Sequence, residues 1–188
     1  MSTPSNLLFT KLSSILLKIS KHKEIDGGPL LKAFEVICLA ACKGMNINRA
    51  SIWLLDPLKS YITCQITCDS SGIINNNTLI LKEEQFPIYF KALLEERTIV
   101  ANNAITHPST SEFIENYLVP LGITSMLDCP IRLHGKMIGI LCCENTGPIK
   151  TWIQEEQSFA ASLAEFASRA ILANERNLAE EKLKSLSN

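Results

Sequence analysis

Ser125–Gly147 reads SMLDCPIRLHGKMIGILCCENTG, and this stretch decides the fold. Leu127, Cys129, Ile131 and Leu133 fall at every second position, with Asp128, Pro130 and Arg132 between them. That two-residue period is a strand with one face toward a core. His134-Gly135 follows as a two-residue hairpin connection, a weaker relative of Asn-Gly because histidine tolerates positive φ less readily than asparagine. On the return, Ile138, Ile140 and Cys142 alternate with Met137, Gly139, Leu141 and Cys143, which predicts a central strand covered on both faces. The same stretch holds three cysteines, Asp128, His134 and Glu144, and so poses a choice between a reactive centre and the wall of a binding cavity.

Upstream, RASIWLLD starts a strand, Asp56-Pro57 favours a turn, and YITCQITCD alternates. Ile62, Cys64, Ile66 and Cys68 are expected on one face of that second strand, paired back on the first. SSGIINNN reads as a loop and TLILK as a short strand. Two helices come before these strands. In Ser5–Ser20 the residues Leu8, Leu12, Ile15 and Ile19 form one stripe. After the punctuation Asp26–Pro29, Pro29 suits a first helical position of Leu30–Lys43, with Gly44 as its stop. Further on, Pro87–Glu96 is a helix, TIVANNA a short strand, and about Ser111–Leu118 a small helix. Ser109, Thr110 or Ser111 would cap that small helix, and Pro120 and Gly122 would end it.

From Thr151 to Leu186 there is no glycine or proline, and the text is helical throughout. Thr151 with Gln154 resembles a capping box. Phe159, Leu163 and Phe166 anchor its first half. Leu172, Ala179 and Leu186 recur at sevens in its second, with Leu183 between the last two, a seam of the coiled-coil kind.

A chain of 188 residues with 46% hydrophobic and 20% charged residues is an ordinary globular one, long enough for a real core. The net charge of −1 supplies no field to draw nucleic acid. Lys11 and Lys18 break the early apolar run, so it is neither a signal core nor a membrane span. Seven cysteines make an odd set, and a reducing, cytoplasmic setting with most thiols as small buried apolar groups is expected.

NRASIWLLD, YLVPLGITSMLDCPIRLHGKMIGILCCENTG and TWIQEEQSFAASLAEFASRAI together resemble a GAF domain, over roughly Pro29 to Ala173. Trp152, Glu156, Phe159, Ala160 and Ala164 resemble the closing helix of GAF domains upstream of PAS, histidine-kinase or cyclase modules. The resemblance implies an α/β (α+β) fold: a central antiparallel sheet of about six strands, terminal helices on one face, and short helices and loops enclosing a ligand pocket on the other. It also implies dimerisation through the terminal helices and a downstream output domain as partner. The expected organisation is an N-terminal helix and linker over 1–28, the domain over 29–173, and an outgoing helical linker over 174–188.

Chemistry is sparse. The Asn-Lys, Phe, Asp-Glu signature of cyclic-nucleotide GAF domains is absent, and no cysteine precedes a histidine as in bilin-binding ones. His107 is the candidate for iron, against a plain polar loop residue; His134 and His22 read as solvated. Cys38 and Cys42 share a helix face, and neither they nor Cys64 and Cys68 have zinc spacing. No metal or cofactor is expected. The free methionine sulfoxide reductases are an enzymatic GAF lineage, and Cys129 is where a thiol would act, but their cysteine-bearing loop and Ser-Glu pair are missing here. Asp128 and Glu144 suggest an acid–base pair across the hairpin; the plainer readings are a backbone or Arg132 partner for Asp128 and a place near the sheet edge for Glu144.

The expected ligand-binding set is therefore Trp53, Phe86, Tyr89, Phe90, Phe113, Tyr117, Cys129 and Ile131. The expected dimer interface is Leu8, Leu12, Ile15, Leu172, Ala179 and Leu183. The leading expectation is a regulatory, non-enzymatic module for a small-molecule ligand, in a homodimer. The alternatives are a structural dimerisation module whose rings fill the core, and, third, a thiol reductase.

Overall fold

Two helices precede the first strand in the computed structural model, which describes residues 4–75 and 79–186. Helix α1 (Pro4–Ser20) buries Leu12 and Ile19 and rests Leu8 and Ile15 against the same core, on the predicted stripe. Leu12 is therefore a core residue and not an outward dimer contact; Leu8 and Ile15 are half-buried on their own chain. A 3-10 segment, Lys23–Asp26, follows, with the His22 ring accepting the Glu24 N–H. Helix α2 (Leu30–Met45) runs past the expected stop. Gly44 is buried in its last turn, where an added Cβ would lie 2.5 Å from the Phe159 ring. Asn46 ends the helix instead, at φ 52°, because asparagine tolerates the left-handed region.

Strands β1 (Arg49–Leu55) and β2 (Tyr61–Asp69) pair antiparallel. The Asp56 carboxylate fastens the turn between them by accepting the N–H groups of Leu58, Ser60 and Tyr61. Strand β3 (Gly72–Asn75) replaces part of the expected loop: it pairs along β2 as an edge, with Ile73 and Ile74 half-exposed. Asn76, Asn77 and Thr78, the rest of that expected loop and the start of the next expected strand, lie outside the described residues, as do residues 1–3 and 187–188 of the end segments. Strand β4 (Ile80–Lys82) also pairs with β2. Helix α3 (Pro87–Glu95) and strand β5 (Ile99–Ala101) follow.

The small helix expected at Ser111–Leu118 is three pieces: a 3-10 segment (Pro108–Phe113), one π turn (Ile114–Leu118) and a single helical turn α4 (Val119–Leu121). Its cap is His107, whose Nδ1 accepts the Ser109 N–H, and none of the three expected hydroxyls. Pro120 sits within α4; Gly122 ends it at φ 65°.

Strands β6 (Ile123–Leu133) and β7 (Lys136–Thr146) form the predicted hairpin, with positive φ at both His134 (50°) and Gly135 (76°). Helix α5 spans Gln154–Leu186. The helix starts later than the predicted Thr151–Gln154 capping box: Glu156, third in the helix, accepts the N–H of Ile153, whose apolar side chain returns no bond.

Among the described residues the sheet has seven strands in the order β3-β2-β1-β7-β6-β5, with β4 beside β2. α2 and α5 cover one face, packing on Ile52, Ile66, Leu127, Cys129, Ile131, Leu141 and Cys143, and α1 packs on those two helices. α3 and the 108–118 segment cover the other, over Trp53, Ile62, Cys64, Met126, Ile140 and Cys142.

Two bulges redistribute side chains between these faces. In β2 the register passes from Trp53 opposite Cys64 to Ile52 opposite Ile66. Gln65 is the extra residue, so Ile62 and Cys64 face α3 while Ile66 and Cys68 face α2. The four expected on one face are thus split. In β7, Ile138 is the extra residue between Gly139 opposite Ile131 and Met137 opposite Arg132. Met137 consequently joins Ile140 and Cys142, and Ile138 leans on the helix side.

Candidate functional site

Between the sheet and α3 lies a cavity of about 260 Å³. Its floor is Trp53 of β1, Ile62 of β2, Met126 of β6, and Cys142 and Glu144 of β7; its roof is Phe86, just before α3, and Tyr89 of α3, with Phe113, Asn116 and Tyr117. Leu79 to Leu81 form one side.

The roof holds itself in shape. Phe86 stacks on Phe113 with ring centroids 4.8 Å apart, and Tyr89 meets Phe113 edge-on at 4.7 Å. Such pairs add about 0.5–1.5 kcal/mol beyond the area they bury. Phe86 has no capping side chain for α3, and Glu112 supplies the lack by accepting the N–H groups of Ile88 and Tyr89.

Polar groups converge on the floor. Glu144 is 1% exposed, accepts a 2.6 Å hydrogen bond from the Tyr117 hydroxyl, and pairs with Arg49 Nε at 2.9 Å. Asp128 is fully buried; its Oδ2 accepts the Tyr89 hydroxyl at 2.6 Å, and its Oδ1 has no hydrogen-bond partner. Burial, with the Glu144 charge nearby, pushes the Asp128 carboxyl up to about 7, against the opposing pull of the Tyr89 hydrogen bond. Burial first, and then the adjacent carboxylates, hold both tyrosine hydroxyls well above their ordinary value, so each stays a donor.

The two carboxyl groups do not face each other. Asp128 lies opposite Cys142 and Glu144 opposite Met126, one pair apart on the same face. Neither plainer expectation holds: Asp128 takes Tyr89 rather than Arg132, and Glu144 sits on a central strand flanked by β1 and β6, far from an edge.

Trp53, Phe86, Tyr89, Phe113 and Tyr117 come together at the cavity as a group. Phe90 is buried behind them in the same cluster without lining the cavity. Cys129 and Ile131 lie on the opposite face of β6, packed toward the terminal helices. Alternation along β6 turns them away from Asp128 and the cavity. Glu144 and Asn116 line the cavity beyond the residues expected from sequence, and Arg49 holds Glu144. Period two does mark Cys142 and Glu144 as sharing a face, whereas nothing local marks Arg49 as Glu144's partner across 95 positions.

All seven cysteines are free and buried. Burial raises Cys129 and Cys42 to about 12 and lifts Cys38, Cys142 and Cys143 well above the ordinary thiol value. Cys68 alone moves down, through a hydrogen bond from Cys38, and it is wholly enclosed beneath α2. His107 acts as a cap and is absent from the cavity wall. Among the described residues no group of three or more His, Cys, Asp or Glu is arranged to hold a metal ion.

The GAF domain family matches residues 29–171. The chain belongs to that family. No curated protein matches it. Among solved structures, this GAF domain is similar to that of a phosphoenolpyruvate-protein phosphotransferase from Coxiella burnetii, with a TM-score of 0.71 and 21% identity over 91% of this chain and 98% of that one. It is similar also to the GAF domain of the Acinetobacter phosphoenolpyruvate-protein phosphotransferase (TM-score 0.66, 18% identity, 92% and 95% covered). A third likeness is to the blue-light absorbing form of the PixJ GAF domain of Thermosynechococcus elongatus (0.65, 15%, 84% and 92%). At these identities the likeness establishes the fold. Among the described residues no helix is long and apolar enough to cross a membrane.

Proposed function

We propose that this GAF domain is a regulatory module of a cytoplasmic signalling protein, that a small molecule occupies the cavity under α3, and that its presence is relayed through the terminal helices to an output domain. One observation carries the reading: the 260 Å³ space is walled by rings and floored by a buried carboxylate that Tyr117 and Arg49 hold in place. Pockets of this make-up, apolar with a few converging polar groups, are the usual form of small-molecule sites.

The pleat of β7 supplies a route for the relay. Cys142 and Glu144 face the cavity while Leu141 and Cys143, their neighbours on the strand, pack under the helices. α5 is tied to the same hairpin by Ser168 Oγ, which donates to the Arg132 carbonyl at 2.7 Å. Arg169 grips Asp26 and the end of α1, so α5 moves with the N-terminal helix. A ligand shifts this assembly only to the extent that it binds two arrangements unequally. The burial of all seven cysteines supports a non-enzymatic role, since a reactive thiol needs both a depressed value and access, and Cys68, the one whose value falls, is enclosed.

A second reading is a dimerisation module without a ligand, favoured by the exposed Leu172, Leu178, Leu183 and Leu186 along α5. Native mass spectrometry of freshly purified protein separates the two. The sensor reading expects a retained small molecule whose removal lowers the melting temperature. A protein that carries nothing, and that no small-molecule panel stabilises, overturns it in favour of the spacer.

A further inference from the structure

The side-chain donors on the cavity wall are nearly all committed. The Tyr89 hydroxyl goes to Asp128, the Tyr117 hydroxyl to Glu144, and the Trp53 indole N–H to Ser51 Oγ at 2.9 Å. Arg49 is spent on Glu144 and lines a separate groove beyond β1, outside the cavity. No lysine or histidine lines the space, and of its polar side chains only the exposed Asn116 amide keeps free N–H groups to offer.

What remains is acceptors. The two phenol oxygens keep their lone pairs after donating their protons. The Glu144 carboxylate lines the floor. Behind Tyr89 and Cys142 the Asp128 Oδ1 is wholly buried with no partner, and an orphan acceptor of that kind calls for an explanation. Around these acceptors stand the faces and edges of Trp53, Phe86 and Phe113.

We propose that the cavity takes a small organic ammonium: an apolar body of about one ring, carrying one positively charged nitrogen turned toward the Glu144–Tyr117 pair. The inference rests on the sensor reading above and adds the ligand's class. An ammonium brings donors to a site that holds acceptors, and ring faces attract a cation by about 0.5–2 kcal/mol. Arg49 and Glu144 cancel in charge, so the buried Asp128 carboxyl, which holds its proton up to about 7, is the group that balances the newcomer by releasing it. A carboxylate or phosphate of the same size meets only lone pairs and a fixed carboxylate, and is disfavoured on both counts. The volume, below the roughly 300 Å³ at which pockets for drug-sized ligands begin, sets the one-ring limit.

Three matched probes test this by isothermal titration calorimetry: 2-phenylethylamine hydrochloride, phenylacetate and 2-phenylethanol. The amine should bind, with phenylacetate weaker by at least about tenfold, the worth of one charge-assisted hydrogen bond. Glu144→Gln should erase that preference. Because that variant frees Arg49 and risks the fold, Asp128→Asn is the second variant, with the same preference reduced. If the acid or the alcohol binds as tightly as the amine, the ammonium class is overturned and the sensor reading stands. If no probe binds but mass spectrometry finds a retained neutral or anionic molecule, the result is the same. If none binds and none is retained, both fall.

Discussion

Tyr117 donates a 2.6 Å hydrogen bond to Glu144, 27 positions further along, and so fastens the π turn of the roof to the central strand of the sheet. Tyr117 stands in that π turn with its ring beside Phe113, at 6.1 Å between centroids. Tyr117→Phe keeps the ring and removes the bond, leaving one oxygen of a buried carboxylate without its donor. The expected loss is about 1–3 kcal/mol by urea denaturation. Amide exchange should quicken over Ile114–Leu118 while the Arg49 pair still holds Glu144. An unchanged midpoint and unchanged exchange would show that the roof is held by its rings alone.

Asp128 makes stability depend on pH in a set direction. Unfolded, its carboxyl loses the proton near 3.8; folded, burial delays that loss to about 7. Below about 3.8 both states hold the proton and the folded state keeps its full advantage. Between the two values the unfolded chain has released a proton that the folded chain retains, so stability falls by about 1.4 kcal/mol for each pH unit crossed. Above about 7 the loss is complete. Tyr89 from α3, with Cys142 and Glu144 from β7, face the group and do not reverse that sign. Asp128→Asn has no proton to lose there, so its urea midpoint should decline less from pH 4 to pH 7 than that of the parent. Parallel declines would refute the assignment to Asp128.

Much of this arrangement is readable from alternation alone, and the exceptions share a cause. The hairpin, the central place of β7 and the aromatic group under α3 all follow from period two and from helix spacing. The bulges at Gln65 and Ile138 do not: one extra residue moves every later side chain to the other face, and no local composition marks it. The pleat also separates Cys129 and Ile131 from Asp128, a separation that the strand pattern itself contains. Arg49 and Glu144 meet because β1 and β7 are adjacent, which is a matter of topology.

Gly139 and Gly44 are both glycines inside regular elements, and they should respond differently to a methyl group. A Cβ at Gly139 would lie 2.4 Å from the Trp53 carbonyl oxygen, which belongs to the neighbouring strand and has nowhere to go. At Gly44 the obstacle is the edge of the Phe159 ring, and alanine regains about 1 kcal/mol of helix preference there. Gly139→Ala should cost about 1–3 kcal/mol or more, with Trp53 displaced at the cavity floor. Gly44→Ala should cost less. Chemical denaturation orders the pair; the reverse order would mean that the β1–β7 seam yields more readily than the α2–α5 contact.

The outgoing half of α5 tests the proposed dimer. Leu172 is 44% exposed and Leu183 65%, and Ala179 is exposed between them, so an aspartate at Leu172 or Ala179 meets water in a single chain and should change its stability by no more than about 0.5 kcal/mol. In a helical seam between two copies the same aspartate would face an apolar neighbour or its own like charge. Leu172→Asp and Ala179→Asp are therefore expected to shift sedimentation toward monomer while the melting curve of dilute protein holds. Leu12→Asp is the contrasting change. Leu12 is 4% exposed among α1, α2 and α5, and a charge there should unfold the helix layer whatever the oligomeric state. If sedimentation of Leu172→Asp and Ala179→Asp matches that of the parent across concentration, α5 is not the seam.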